Sequence, residues 1–288
     1  MEATSVHIPK FRSTARLAQW VRRNRHVGRL PPASERCFFR SKESPEKISN
    51  NLLYYSNWAG PFEVELEELL VPLDLVKYCR AVHSKNEKPS SFVLSRMDEE
   101  MLVQASQFLG RLPEEHERRI THSHLASIYA NRVGPVPSYL EDVIVESPDS
   151  SIEYIELLKN NFREVPERFM RALVGQDRHF LRLVRALGGP LPYYLLQSMT
   201  DPVVALNYAR GYLRGRLPEE VEGNVFFNNP EMGAKYGLEV IRGFSNPRLP
   251  DALHNSIILS ANADQSNEIR RYIAEVERCS EKPVSDGG

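Results

Sequence analysis

The densest run of cations in this chain is Arg22-Arg23-Asn24-Arg25-His26, with Arg29 close behind. Guanidinium groups spaced this tightly suit nucleic-acid phosphates, and each such contact steepens the salt dependence of binding. The plainer reading is a solvated helix end, where cations complement the helix dipole. Residues 1–42 hold ten Lys/Arg (Lys10, Arg12, Arg16, Arg22, Arg23, Arg25, Arg29, Arg36, Arg40, Lys42) against Glu2 and Glu35. That is +8, and −9 is left for the remainder of a chain whose formal net charge is −1. Near neutrality excludes a global pull toward nucleic acid or anionic membrane, but the asymmetry invites a local one.

Other chemistry is sparse. His116, His122 and His124 stand beside Glu114, Glu115 and Glu117, which are metal-ligand types. No second cluster exists to complete a tetrahedron, so no metal is expected. Glu65-Leu66-Glu67-Glu68 and Asp98-Glu99-Glu100 are carboxylate runs of the kind that usually lie on solvated helix surfaces. Gly-x-Ser-x-Gly, a glycine-rich phosphate loop and His-Glu-x-x-His are all missing. No catalytic residue and no cofactor is therefore expected. The enzymatic alternative is one acidic residue acting in a groove between helices.

The elements that would position these groups come from a repeat. Gly-Arg-Leu-Pro occurs at Gly28–Pro31, Gly110–Pro113 and Gly215–Pro218. Degenerate copies extend it to nine anchors: Pro31, Glu63, Pro89, Pro113, Pro137, Pro166, Pro192, Pro218 and Pro250. The steps run from 24 to 32 residues, a spacing typical of solenoids and propellers. Apolar residues stand three and seven places after most anchors, as in Leu66/Leu70, Leu140/Ile144, Phe169/Leu173 and Leu253/Ile257. They share one helix face. Proline opens such a helix at no cost in hydrogen bonding, and Glu35, Glu67, Glu117, Glu141 and Glu222 bring negative charge to the first turns.

A second helix is expected before each anchor. Its marker is aromatic at Trp20, Tyr54, Tyr78, Tyr129, Tyr154, Tyr208 and Tyr236, and is replaced by Gln104 and Leu183 in two copies. Core packing is the expected role of the marker. Gly28, Gly110, Gly134, Gly189 and Gly215 are placed to end this helix with left-handed caps. Arg29, Arg111 and Arg216 would form an arginine ladder for an acidic partner. The stronger reading is local pairing with helix-end carbonyls or with the following glutamate. Val64, Leu66 and Phe92–Leu94 also read as strand fragments, but the repeat register favours helix.

Asp201-Pro202, Tyr208-Ala209 and Gly215-Arg216-Leu217-Pro218-Glu219 carry a resemblance. With Pro230-Glu231, Tyr236-Gly237 and Arg248-Leu249-Pro250-Asp251, they resemble the short two-helix repeats of bacteriophage and giant-virus proteins. HEAT-like repeats, whose units are longer, are a looser neighbour. The resemblance extends weakly over residues 14–259 and departs at Lys77–Met97 and Pro148–Phe169, where the Gly-Arg pair is missing. It implies a fold and a viral source, and no activity.

The expected fold is all-α: an α-solenoid of about nine helix pairs, each helix roughly 8–12 residues long and marginal by itself. Residues 1–13 are read as extended, 14–259 as the repeat domain, 260–279 as a capping helix and 280–288 as a disordered tail. Ile269, Tyr272, Ile273 and Val276 give the capping helix its apolar face. Cys37, Cys79 and Cys279 are odd in number and far apart, which fits a reducing, cytoplasmic setting, that of the host cell if the source is viral. No apolar run is long enough for a membrane span. The leading expectation is a non-catalytic scaffold or adaptor for a protein partner. The second is a nucleic-acid binder using Arg22, Arg23, Arg25 and Arg29.

Overall fold

A computed structural model describes residues 16, 19, 20, 23, 42–243, 249–261 and 266–280. All regular structure among the described residues is helical. The extended start, the tail after Ser280, Ser34, Phe38, Cys37 and three of the four cations proposed for binding (Arg22, Arg25 and Arg29) lie outside the described residues.

Contacts divide the chain into two units that meet between Ile144 and Val145. In the first, α1 (Pro45–Ala59), α3 (Leu75–His83), α5 (Glu99–Leu109) and α7 (Ser123–Val133) are the longer helices. The shorter α2 (Val64–Glu67), α4 (Ser91–Ser95), α6 (Glu114–Glu117) and α8 (Ser138–Ile144) alternate with them. In the second, the longer set is α9 (Pro148–Asn160), α11 (Asp177–Leu187), α13 (Pro202–Tyr208, continued by a π-helical turn to Leu213), α15 (Pro230–Gly243) and α17 (Asn267–Ser280). The shorter set is α10 (Glu167–Arg171), α12 (Tyr193–Gln197), α14 (Glu219–Phe226) and α16 (Asp251–Ser260). Within each unit, each longer helix packs on the next longer helix. Val64 and Phe92 fall in α2 and α4, so the strand alternative is wrong there.

Several shorter helices are single turns of four or five residues, below the expected length. Most of them start in the same way. Pro113, Pro166, Pro192, Pro218 and Pro250 sit at the N-cap itself, one place earlier than expected. The Pro113 carbonyl accepts the N–H groups of His116 and Glu117 at 2.9 and 3.0 Å. In α4 the N-cap slides to Ser90, whose hydroxyl accepts from the Val93 N–H. Val93 and Met97 then fill the buried positions, and the Arg96 guanidinium donates to the Glu67 and Leu70 carbonyls at 2.8 and 2.6 Å.

The core follows the marker positions, with two corrections. Tyr78, Tyr129, Tyr154, Tyr208 and Tyr236 are fully buried. In α1 the buried ring is Tyr55, while Tyr54 is 50% exposed. In α5 the buried residue is Ala105 and Gln104 is exposed. The rule is distance from the closing glycine: Tyr55, Ala105, Tyr129 and Leu183 each lie five residues before Gly60, Gly110, Gly134 and Gly188.

Those glycines have positive φ, but only Gly188 is left-handed helical, with φ 67 and ψ 22. Gly110 (φ 70, ψ −138) and Gly134 (φ 88, ψ −166) occupy a region essentially reserved for glycine. Gly189 is therefore not the cap. Gly215 is not one either: α13 runs on through a π-helical turn, Ala209–Leu213, and the extra residue passes the left-handed position to Arg214. In α15, Gly237 admits close packing, since a Cβ there would lie 2.5 Å from the Tyr272 ring of α17. Ile269 and Tyr272 are buried, as the amphipathic pattern of the last helix requires.

Candidate functional site

The Gly-Arg-Leu-Pro tetrapeptide builds a buried polar cluster. At 110–113 the glycine ends α5 and the proline caps α6. Leu112 buries its side chain and donates its N–H to the Tyr129 hydroxyl at 2.8 Å. Tyr129 donates in turn to Glu117 Oε1 at 2.6 Å, and Arg111 Nε donates to the same oxygen at 3.1 Å. At 215–218 the arrangement recurs. Leu217 N–H donates to Tyr236, Tyr236 donates to Glu222, and Arg216 grips both Glu222 oxygens at 2.7 and 2.8 Å. Glu67, Glu117 and Glu222 are thus buried acceptors, not first-turn charges facing solvent. Arg111 and Arg216 are partners of these carboxylates and form no free ladder.

The members of the cluster vary from copy to copy, and the hydroxyl contact outlasts the ion pair. In the copy at Pro190-Leu191-Pro192, proline replaces the arginine and Leu196 replaces the glutamate. Tyr208 still accepts the Leu191 N–H at 3.0 Å. The copy at Pro61-Phe62 keeps Glu67 without an arginine, and Tyr78 and Ser90 donate to its two oxygens. Where the tyrosine is replaced by Ala105 or Leu183, the preceding short helix carries Leu94 or Met170 in the glutamate position. Burial pushes the Tyr78, Tyr129 and Tyr236 hydroxyls above their ordinary titration range, and the adjoining carboxylates add to the shift.

The carboxylate runs are also structural. Asp98 caps its own helix through Met101 N–H. Glu99 Oε1 accepts the N–H groups of Thr121 and His122, both at 2.7 Å, and so caps the start of α7 from the start of α5. Asp177 does the same for α13, accepting from Thr200 and Asp201 at 2.9 and 2.6 Å. Burial raises the Glu99 pKa, but these donors outweigh it and hold the group below its ordinary value.

The histidines do not converge. His122 Nδ1 meets Glu99 at 2.6 Å. His116 is buried, with Nε2 3.1 Å from Ser91 Oγ and 3.2 Å from Glu115. This trio lacks the geometry of a nucleophilic triad. The serine and the carboxylate share one ring nitrogen, and Nδ1 is buried without a partner. No carboxylate orients the ring from behind, as activation of a serine requires. Among the described residues, no three His, Cys, Asp or Glu side chains are placed to hold a metal ion.

In the first unit a cleft of about 300 Å³ lies between Leu94, Leu109 and Leu112, with Lys88, Ser91 and Arg111 at its rim. In the second unit a shallower depression of about 470 Å³ crosses α13, α15 and α17. Leu206 and Leu238 form part of its lining, together with Arg210, Lys235, Arg242 and Arg271 and the carboxylates Glu239 and Glu268. Arg210 and Arg242 have no side-chain partner among the described residues. Arg23 is helical and exposed.

No family model, no curated protein and no solved structure matches the chain. No helix among the described residues is long and apolar enough to cross a membrane. Among the described residues, buried Glu67, Glu117 and Glu222 and the motif arginines Arg111 and Arg216 are engaged within the fold. Large apolar side chains exposed on the surface include Leu73, Phe162, Val203, Tyr212 and Leu259.

Proposed function

We propose that the chain is a non-catalytic protein–protein interaction scaffold, built as an α-solenoid of about nine short helix-pair repeats and acting in the cytoplasm, of a host cell if its source is viral. One observation carries this reading. A longer helix sends a tyrosine hydroxyl back to the turn before it, at Tyr78–Phe62, Tyr129–Leu112, Tyr208–Leu191 and Tyr236–Leu217. A contact that joins only neighbours is what a quasi-one-dimensional array needs, and it leaves the outer surface free to vary. Mixed charge with exposed apolar groups on that surface suits a protein partner better than a phosphate backbone, which Glu239 and Glu268 would repel.

The test is affinity purification of the tagged chain from its native cell, with and without nuclease, read by mass spectrometry and nucleic-acid staining. A stoichiometric protein that survives nuclease supports the scaffold. Nucleic acid recovered alone, with loss on charge reversal of Arg22, Arg23 and Arg25, would replace it by the nucleic-acid reading, for which the +8 charge of residues 1–42 is the motive.

A further inference from the structure

Helix α9 ends in a closed backbone motif. Phe162 N–H donates to the Lys159 carbonyl at 3.0 Å, and Arg163 N–H reaches back to the Leu158 carbonyl at 2.9 Å. This is the 6→1 and 5→2 pattern of a Schellman cap, which places its C′ residue in the left-handed region. That residue is Phe162, with φ 55. The chain contains its own control. Helix α3 ends in the same pattern, with Asn86 N–H on the His83 carbonyl and Glu87 N–H on that of Val82. There the left-handed residue is Asn86, φ 59, a type that tolerates the conformation. Helix α11 uses Gly188. Phenylalanine is unsuited to this position.

Nor does the ring contribute to packing. Phe162 is 99% exposed, the most exposed of the large apolar side chains among the described residues. An aromatic that strains the backbone and touches nothing in its own fold is explained by something outside it. Its surroundings indicate what. Lys159 and Arg163 flank it, and neither has a side-chain partner among the described residues. Asn160, Asn161 and Arg163 are all exposed. The ring therefore stands alone in a polar rim in which two cations, Lys159 and Arg163, outnumber the exposed carboxylate Glu164, the pattern of an interface anchor ringed by polar residues.

We infer that Phe162 is the anchor by which this chain docks a protein partner, entering an apolar pocket of that partner rimmed by carboxylates that meet Lys159 and Arg163. The inference rests on the scaffold reading and names the chemistry of its partner. A lipid surface is the weaker occupant. One phenyl ring strengthens membrane partitioning by roughly 10- to 100-fold, whereas stable anchoring takes two such signals.

The test compares the full chain with Phe162→Asn and with Lys159→Glu/Arg163→Glu, by thermal unfolding, by quantitative affinity purification and by flotation with vesicles containing 30% phosphatidylserine. Phe162→Asn should keep or raise the unfolding midpoint, by roughly 2 °C, while recovery of a captured protein falls at least tenfold. The double charge reversal should lower recovery several-fold and leave folding unchanged. A lowered midpoint for Phe162→Asn would show that the ring supports the fold, and overturns the inference. So does vesicle binding that depends on Phe162. If the wild type captures no protein, the scaffold reading fails and takes this inference with it. If wild type and Phe162→Asn capture the same protein equally, the inference alone fails.

Discussion

Tyr129 places its hydroxyl 2.6 Å from Glu117 Oε1 while accepting the Leu112 N–H at 2.8 Å. One oxygen thus ties α7 to the turn that leads into α6 and to the last residue of α6. Phenylalanine at this position leaves a buried N–H unsatisfied and takes a donor from a buried carboxylate. Tyr129→Phe should destabilise by about 2–4 kcal/mol, whereas Tyr208→Phe, which loses only the Leu191 contact, should cost about 1 kcal/mol. Denaturant unfolding of the two variants checks the difference.

Arg216 and Glu222 form a bidentate pair in which the carboxylate is fully buried. Removing the arginine strands that charge, so Arg216→Met should cost roughly 3 kcal/mol or more. Arg216→Met with Glu222→Leu approximates the proline and leucine found at 190 and 196. The double variant should recover most of the loss, and a double-mutant cycle measures the coupling.

Gly110 and Gly223 should respond in opposite directions to alanine. A Cβ at either meets no neighbour within 4 Å, so backbone conformation decides the sign. Gly110→Ala forces alanine to φ 70, ψ −138 and should cost about 1–3 kcal/mol. Gly223 lies inside α14, and Gly223→Ala should stabilise by about 0.5–1 kcal/mol. Thermal unfolding of the pair is the check.

Alkaline titration should reveal the buried tyrosines. Burial raises Tyr272 to about 12 from an ordinary value of 10.0, and lifts Tyr78 and Tyr236 further. A folded-state pKa above the unfolded one gives stability that is complete below about pH 10 and is lost as pH rises toward 12. Phenolate absorbance should therefore appear in two phases: exposed rings first, buried rings together with loss of helical circular dichroism.

Acid acts through different groups. Burial lowers the His116 and His179 pKa below 6.5, although Glu115 and Asp149 oppose the shift. The unfolded chain then binds the proton first, and stability falls as pH drops below about 6.5. Glu99, held below its ordinary 4.5, contributes stability present above that value and lost further into acid. Unfolding midpoints between pH 8 and 2 should decline in two stages, and His179→Gln should flatten the first.

Much of the helical alternation was legible because its signals are local. The proline anchors, the apolar residues three and seven places on, and the tyrosine preceding each turn depend only on helix geometry, and Leu140/Ile144 and Leu253/Ile257 are buried as their spacing requires. The errors of register were also local. Tyr54 and Gln104 each stand one residue before the buried position, which the distance to the closing glycine sets. The π-helical turn before Arg214 gave no advance signal, since its extra residue is absorbed without any break in composition.

The candidate surface was less legible. The spacing of the motif arginines fits a ladder as well as local pairing, and only the fold shows Arg111 and Arg216 against buried Glu117 and Glu222. Phe162 carried no sequence mark at all, because exposure and a positive φ belong to the folded backbone.

The sequence by itself determined helical periodicity, the places where helices start and stop, and which faces are apolar, because each follows from spacing along one turn. Only the tertiary structure decided which charges are buried and which remain for a partner. A carboxylate such as Glu222 is acceptable in the interior only when a hydroxyl and a guanidinium from other segments close around it, and that convergence is set by packing between helices.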